Sequence, residues 1–163
     1  MQSVCGQEKA LVLCPASPED LEDLVAIRIE AMRESLERVG RFDPERARER
    51  FVSGFDVNCT RRIELSGELV GFVVVKSQPA ELLLDHLYVR PHVQGLGVGS
   101  AVLQQLFEEA DEVGLPIRVG ALKESDSNRF YARHGFVFVE SAEFDNYYVR
   151  PSFASLGNRA SGA

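Results

Sequence analysis

The stretch Leu84–Ser100 reads LDHLYVRPHVQGLGVGS and decides the fold prediction for this chain. An apolar run typical of a strand comes first, a glycine-rich turn follows it, and a helical pattern begins after the turn. Glycines at 95, 97 and 99 remove side chains over a short arc, so main-chain N–H groups can converge on an anion. The free N–H groups and positive dipole end of the following helix add to that attraction. The stretch therefore predicts a phosphate-binding turn between a strand and a helix.

Two common phosphate-binding motifs fit this turn poorly. A dinucleotide-binding loop has the spacing G-x-G-x-x-G and an acidic residue after the next strand, whereas this turn has G-x-G-x-G and the next predicted strand leads to Lys123. A Walker loop requires Gly-Lys followed by Ser or Thr, which this turn lacks. A glycine-rich bend that serves only tight packing is the remaining alternative, and the glycine spacing alone does not exclude it.

The other elements follow from hydrophobic periodicity and from cap and turn residues. Ser17-Pro18 and Asp43-Pro44 are helix starts, with the first residue as cap and the proline in the first turn. The apolar stripe of the first helix recurs every three or four residues: Leu21, Val25, Ile29, Met32, Leu36 and Val39. The predicted strands are 10–14, 62–65, 69–76, 82–89, 117–122, 136–140 and 147–149, and the predicted helices are 18–39, 44–55, 97–113 and 127–134.

The element order is therefore β-α-α-β-β-β-α-β-α-β-β. Short connections favour an antiparallel meander of the three central strands, and the single βαβ crossover should be right-handed. We expect an α/β fold with a mixed, mostly antiparallel twisted sheet of about seven strands and about four flanking helices. At 163 residues the chain suits one domain. We expect that domain to span residues 1–150 and residues 151–163, which are small and polar, to form a flexible tail.

Composition and charge narrow the function classes. A net charge of −7 makes binding to nucleic acid or to an anionic membrane a poor hypothesis. The three cysteines, Cys5, Cys14 and Cys59, are odd in number and lack C-x-x-C spacing, and the three histidines have no ligand spacing, so we predict neither disulfides nor a metal site. No apolar run approaches the ~20 residues that span a bilayer, and the N-terminus lacks the apolar middle of a signal peptide. We therefore expect a cytoplasmic protein.

Two separated motifs resemble those of the GNAT superfamily of N-acetyltransferases. The pattern Gln94-x-x-Gly97-x-Gly99, after a strand that ends Leu-Tyr-Val-x-Pro, is similar to the acyl-CoA motif of that family. The segment SNRFYARHGF, residues 127–136, is similar to the second family signature, and the element order fits the family over roughly residues 10–150. One departure is that Ser125 or Glu124 replaces the asparagine often found six or seven residues before the tyrosine.

The resemblance implies an acyltransferase of groups other than aminoacyl groups, with acetyl-CoA as co-substrate. Its cofactor-binding residues fall into three groups. Main-chain groups that hold the pyrophosphate are those of Gln94, Gly95, Leu96, Gly97, Val98 and Gly99, with the Ser100 hydroxyl as an added donor. Main-chain groups that pair with pantetheine, where the strand splays from its neighbour, are those of Leu87, Tyr88 and Val89. Side chains that could approach the far side of the cofactor or its phosphates are Asn128, Arg129 and Arg133, although Arg133 equally fits a solvated helix charge. Tyr131 is the remaining cofactor contact, near the departing thiolate.

The resemblance also suggests catalytic roles. A phenol with a reference pKa of about 10 stays protonated at neutral pH, so Tyr131 could protonate the departing thiolate, or it could be an aromatic packing residue. Related enzymes often place an acid on the strand before the turn, which favours Asp85 as the base or as a contact to the acceptor's cation. His86, on the opposite face, has the better intrinsic pKa for a base and is the alternative. Weaker candidates for acceptor contacts are Glu30, Asn146 and Tyr147.

The implied activity is transfer of an acetyl group from acetyl-CoA to an amine by direct attack within a ternary complex. The acceptor could be a small metabolite, a polyamine, an antibiotic amine, or a peptide N-terminus or lysine. A non-catalytic acyl-CoA-binding sensor or interaction module is the alternative function, and a nucleotide-binding protein is a third. Dimers are common among similar proteins, so a homodimer is the assembly that the resemblance suggests.

Overall fold

The computed structural model describes residues 10–38 and 40–152. The predictions for Cys5, for Val39 and for residues 153–163 lie outside the described residues. Ser152, the last described residue, is 4% exposed.

The described residues form seven strands and four α-helices, in the predicted order. The strands are β1 (Leu11–Pro15), β2 (Thr60–Leu65), β3 (Glu68–Ser77), β4 (Leu82–Val89), β5 (Ile117–Leu122), β6 (Val137–Ser141) and β7 (Asp145–Arg150). The helices are α1 (Leu21–Arg38), α2 (Pro44–Gly54), α3 (Val98–Val113) and α4 (Ser127–Arg133). Short 3-10 turns at Pro18–Asp20 and Pro91–Val93 precede α1 and the glycine-rich turn.

The predicted start of α2 has the expected cap, and at Ser17 it is Asp20 that accepts the capping hydrogen bond. The carboxylate of Asp43 accepts a hydrogen bond from the amide of Arg46 at 3.1 Å, and Pro44 occupies the first turn of α2. The amide of Ser17 donates to the carboxylate of Asp20 at 2.8 Å. These contacts satisfy amides that the helix itself cannot.

The strands lie in the order β1-β2-β3-β4-β5-β7-β6. Pairing is antiparallel for β1 with β2, β2 with β3, β5 with β7 and β6 with β7, and parallel for β4 with β5. The predicted mixed, mostly antiparallel sheet of an α/β protein is confirmed. The β4–β5 ladder covers only Leu82–Leu84 with Ile117–Val119, and it ends five residues before β4 itself ends.

The chain divides into two compact units. The first contains the described residues up to Val74 together with His86–Gly99, and the second contains Val75–Asp85 and the described residues from Ser100 onward. The core of the first unit packs α1 and α2 on β3 through Leu24, Val25, Ile27, Phe51, Phe72 and Val74.

The buried face of α1 is wider than the predicted stripe. Leu24 and Ile27 are fully buried, although neither belongs to that stripe, whereas Ile29 is only partly buried. The helix packs against α2 as well as against β3, so a broader sector of its surface is covered.

In the second unit, α3 buries Val102, Leu106 and Ala110 as predicted. Val113 was expected on the same face but is 62% exposed, because α3 ends there and Gly114, with φ of +72°, turns the chain away. A bidentate ion pair joins Arg150 to Asp111 at 2.8 and 3.1 Å. Among the described helices, none is long and apolar enough to cross a membrane.

Candidate functional site

The glycine-rich turn has the backbone geometry that its sequence predicts. Gly95 and Gly97 have φ of +84° and +86°, a region that favours glycine, and α3 begins at Val98. A Cβ atom built on either glycine would have no heavy atom within 4 Å, apart from its chain neighbours. Tight packing therefore does not explain these glycines. The turn needs them for their backbone conformation, and the space beside them is open.

Some main-chain amides of the turn already donate to a main-chain carbonyl, and others do not. The amide of Gln94 donates to the Pro91 carbonyl at 3.2 Å, and that of Leu96 donates to the Val93 carbonyl at 3.4 Å. Within the described chain, no main-chain carbonyl accepts a hydrogen bond from Gly95 or Gly97. The two glycine amides are therefore the turn's available donors, whereas the Gln94 amide, which was predicted to hold an anion, already has a partner.

The Gln94 side chain has a role that the sequence did not reveal. Its Nε2 donates to the carbonyl of Val89, the last residue of β4, at 2.9 Å. This hydrogen bond ties the turn to the end of the strand before it. The glutamine of the motif thus acts through its side chain on the shape of the turn.

Strand β4 lies unusually close to β3 next to the turn. A Cβ atom on Gly71 of β3 would sit 2.3 Å from the Tyr88 carbonyl oxygen and 3.1 Å from Val89 Cα. Only glycine allows this approach. Leu87, Tyr88 and Val89, predicted to pair with pantetheine, lie beyond the end of the β4–β5 ladder.

The two candidate bases of β4 have different surroundings. The His86 ring belongs to an aromatic cluster on the α2 side, with its centroid 5.6 Å from Phe51 and 5.6 Å from Tyr88. Asp85, on the opposite face by strand alternation, forms an ion pair with Lys76 at 3.2 Å. The structure therefore places His86, rather than Asp85, beside α2.

Tyr131 is buried in the second unit, with 6% of its surface exposed. Its ring packs edge-on against Phe136 at 5.3 Å and against Phe130 at 5.4 Å. Packing of this kind fixes the ring plane and hence the direction of the phenol. The aromatic packing role is confirmed, and it is compatible with a catalytic hydroxyl.

The Asn128 side chain is saturated by protein groups. Its Nδ2 donates to the carbonyls of Leu122 and Ser125, both at 2.9 Å, while its Oδ1 accepts from Asn146 Nδ2 at 2.9 Å and from the Tyr148 hydroxyl at 2.7 Å. An amide has two donor hydrogens and two acceptor positions, so none is left for a cofactor. Asn128 instead holds α4 to β5 and β7, and Asn146 is committed to the same network.

The other predicted side chains are on the surface or engaged elsewhere. Arg129 is 84% exposed and pairs with Asp126 at 3.2 Å, and Arg133 is exposed. Glu30 pairs with Arg90 at 3.6 Å. The Tyr147 ring lies under the Arg118 guanidinium, 4.9 Å from ring centroid to Cζ.

Ser100, in the first turn of α3, contacts His134, and this contact was not predicted from the sequence. Its Oγ lies 2.8 Å from His134 Nε2, and His134 Nδ1 lies 2.8 Å from the Phe130 carbonyl oxygen. Residues 34 positions apart thus meet, and spacing along the chain could not predict this contact. Within the described ranges, no group of three or more His, Cys, Asp or Glu residues could hold a metal ion.

The sequence of this chain matches a protein-family model and a known relative. The model of the Acetyltransferase (GNAT) family matches residues 21–136, which is more than half of the chain. The ribosomal protein bS18-alanine N-acetyltransferase of Haemophilus influenzae is 31% identical over 88 residues, or 53% of this chain and 59% of that protein. The matched region thus covers less than two thirds of that relative's length.

Solved structures share the fold at lower identity. The PaiA N-acetyltransferase of Thermoplasma acidophilum, in complex with coenzyme A, has a TM-score of 0.73 and 16% identity, and the match covers 87% of this chain and 99% of that chain. The ribosomal-protein-S18-alanine N-acetyltransferase of Escherichia coli has a TM-score of 0.63 and 16% identity, covering 87% and 94%. Since the family model spans both motifs and more than half of the chain, the protein belongs to the GNAT family of acetyltransferases.

Proposed function

We propose that this protein is an N-acetyltransferase that moves an acetyl group from acetyl-CoA to an amine by direct attack. The observation that carries the proposal is the turn before α3. Its two left-handed glycines have amides without main-chain acceptors and open space where side chains would stand. Such a turn at a helix N-terminus favours a diphosphate.

Main-chain groups bind the cofactor in this proposal. The amides of Gly95 and Gly97, with those that begin α3 at Val98 and Gly99, donate to the pyrophosphate. Pantetheine carries amides and pairs with β4 at Leu87–Val89 as an added strand would. The close approach of Gly71 to Tyr88 and the Gln94–Val89 hydrogen bond hold this part of the chain in place.

The reaction needs one proton donor and one proton acceptor. The amine nitrogen attacks the thioester carbonyl carbon, a C–N bond forms, the C–S bond breaks, and coenzyme A leaves as a thiolate. Tyr131 donates its phenolic proton to that sulfur. Its buried, packed ring supports the role, because an aligned donor transfers its proton more readily than a mobile one.

A base removes the proton that the amine loses. We propose His86 for this step, with Asp85 as the alternative that the family resemblance suggests. A neutral imidazole can accept a proton near pH 7, and His86 lies on the α2 side of β4. Asp85 already neutralises Lys76.

The class of amine that accepts the acetyl group is a further part of the proposal. The names of the Haemophilus and Escherichia relatives specify an alanine of a ribosomal protein, which supports a peptide or protein amine as one class to test. Small metabolites, polyamines and antibiotic amines are the other classes. The proposal also includes action in the cytoplasm and a homodimer as the assembly.

Thiol release from acetyl-CoA, measured with a panel of amines from each class, tests the proposal. We expect saturable turnover with at least one class. Saturable acetyl-CoA binding without turnover on any amine would favour the non-catalytic acyl-CoA-binding module. If ATP or NAD competes for the turn more strongly than coenzyme A does, the result would favour a nucleotide-binding protein.

A further inference from the structure

Ser100 and His134 form a short hydrogen-bond chain at the start of α3. The Ser100 Oγ to His134 Nε2 distance and the His134 Nδ1 to Phe130 carbonyl distance are both 2.8 Å. Both side chains are partly buried, and the Phe130 ring lies 4.6 Å from the imidazole between centroids. The imidazole is therefore held from two sides, and its orientation is fixed.

The carbonyl partner determines the direction of both hydrogen bonds. A carbonyl oxygen only accepts, so His134 Nδ1 carries a hydrogen and donates it to Phe130. In the neutral ring Nε2 is then the acceptor, and the Ser100 hydroxyl donates its hydrogen to it. The Ser100 oxygen is left as an acceptor only. In this state it cannot provide the hydrogen bond to phosphate that the family resemblance implied.

Protonation of His134 reverses the second hydrogen bond. The imidazolium carries hydrogens on both nitrogens, so Nε2 donates to Ser100 Oγ. The serine hydroxyl keeps its hydrogen, which can then be donated to another acceptor. Ser100 can then donate to a phosphate oxygen, and a positive charge stands behind it. A phosphate therefore favours protonated His134 for two reasons: it accepts the Ser100 hydrogen bond, and it is attracted to the positive charge.

The residues around His134 do not neutralise the positive charge of its imidazolium, so a bound anion would do so. The described partners of the His134 ring are the Ser100 hydroxyl, the Phe130 carbonyl and the Phe130 ring, and none of these is a carboxylate. The charged neighbour along α4 is Arg133, which is exposed, and the contact from α3 is the neutral Ser100. An anion at Ser100 would thus be the compensating charge for the imidazolium.

We infer that His134 and Ser100 form a proton-linked phosphate contact, so that binding of the cofactor's pyrophosphate takes up a proton at His134. This inference rests on the proposed function. By linkage, a ligand that favours the protonated ring binds more tightly at low pH and loses affinity as the pH rises through the titration of the bound-state histidine. His134 is a positioning residue here, since it acts through the hydroxyl of Ser100.

Calorimetric titration with dephospho-coenzyme A tests the inference. This ligand keeps the pyrophosphate but lacks the 3′-phosphate, whose own titration near pH 6 would mask that of the protein. Heats measured in two buffers of different ionisation enthalpy give the number of protons taken up. For the wild type we expect uptake of a fraction of a proton near pH 7. We also expect the affinity to fall by up to tenfold per pH unit over the range in which the free protein has lost the His134 proton and the complex keeps it.

Two variants and one control locate the proton. Ser100→Ala and His134→Gln should bind without proton uptake and with a flat pH dependence. His92→Gln, the same change at an exposed histidine, should keep the wild-type uptake. In NMR spectra recorded at constant pH, the ring nitrogens of His134 should move towards their protonated positions when the ligand is added.

The outcomes separate the inference from the function on which it rests. Wild-type protein that binds the ligand without proton uptake, or His134→Gln protein that keeps the wild-type uptake, would overturn the inference and leave the proposed function standing. Wild-type protein that binds neither dephospho-coenzyme A nor acetyl-CoA would overturn the proposed function itself.

Discussion

The Tyr88 carbonyl oxygen lies 2.3 Å from the position that a Cβ atom would take on Gly71. The main chain of β4 therefore approaches β3 where only a hydrogen atom fits, at the residues proposed to pair with pantetheine. We expect Gly71→Ala to push the two strands apart. Overpacking of this kind destabilises by about 1–3 kcal/mol, and acetyl-CoA binding should weaken as well.

Gly54→Ala is the matched control for that substitution. A Cβ on Gly54, at the end of α2, meets nothing within 4 Å, and its φ is not in the left-handed region. Urea denaturation should show a loss of stability for the first variant and little change for the second. Equal stability of the two variants would contradict the close approach.

Tyr131→Phe should slow acetyl transfer and leave the affinity for coenzyme A nearly intact. The phenylalanine keeps the ring contacts with Phe130 and Phe136 and removes only the proton donor. Loss of a general acid typically reduces turnover by about 10²–10⁴-fold. Steady-state kinetics and cofactor titration measure both effects. An unchanged turnover rate would remove Tyr131 from the mechanism.

His86→Gln and Asp85→Asn distinguish the two candidate bases. If His86 accepts the proton, His86→Gln should lower turnover and abolish the acidic limb of the pH–rate profile, because that limb reports protonation of the base. Asp85→Asn should then keep the profile and change stability only slightly, since its partner Lys76 is half-exposed. The reverse pattern would assign the base to Asp85.

Asn128→Ala should destabilise the protein without greatly changing its affinity for acetyl-CoA. The substitution leaves the Leu122 carbonyl, Asn146 and Tyr148 without the amide that bridges them. Most of these groups are partly buried, so the loss for each should stay below the roughly 1–3 kcal/mol of a fully buried unsatisfied group. Thermal unfolding and calorimetric titration measure the two properties. A large loss of affinity in a stably folded variant would show that the side chain contacts the cofactor after all.

The fold was predictable because its elements carry local signals. Asp43 before Pro44 marks a helix start that the structure confirms. The predicted ends of the strands were less accurate. The missed strand residues, Thr60, Arg61, Asp145 and Asn146, join ladders through main-chain groups, and their polar or charged side chains do not reveal this.

The candidate site was predictable where main chain does the binding and much less so where side chains meet. The pattern of glycines predicts backbone angles, which depend on residue type at each position. The saturation of Asn128 and the contact between Ser100 and His134 depend instead on groups from separate elements. A single sequence contains no record of which distant groups touch.

The central claim is that the turn before α3 binds the diphosphate of coenzyme A, and Gly97→Glu compared with Gly114→Glu tests it most directly. Both glycines have left-handed φ, +86° and +72°, and open space at Cβ, so both substitutions introduce similar backbone strain and the same charge. Only the first places a carboxylate at the proposed phosphate site. In calorimetric titration with acetyl-CoA, we predict that folded Gly97→Glu protein shows no measurable binding, while Gly114→Glu protein binds like the wild type. Wild-type affinity in folded Gly97→Glu protein would contradict the account.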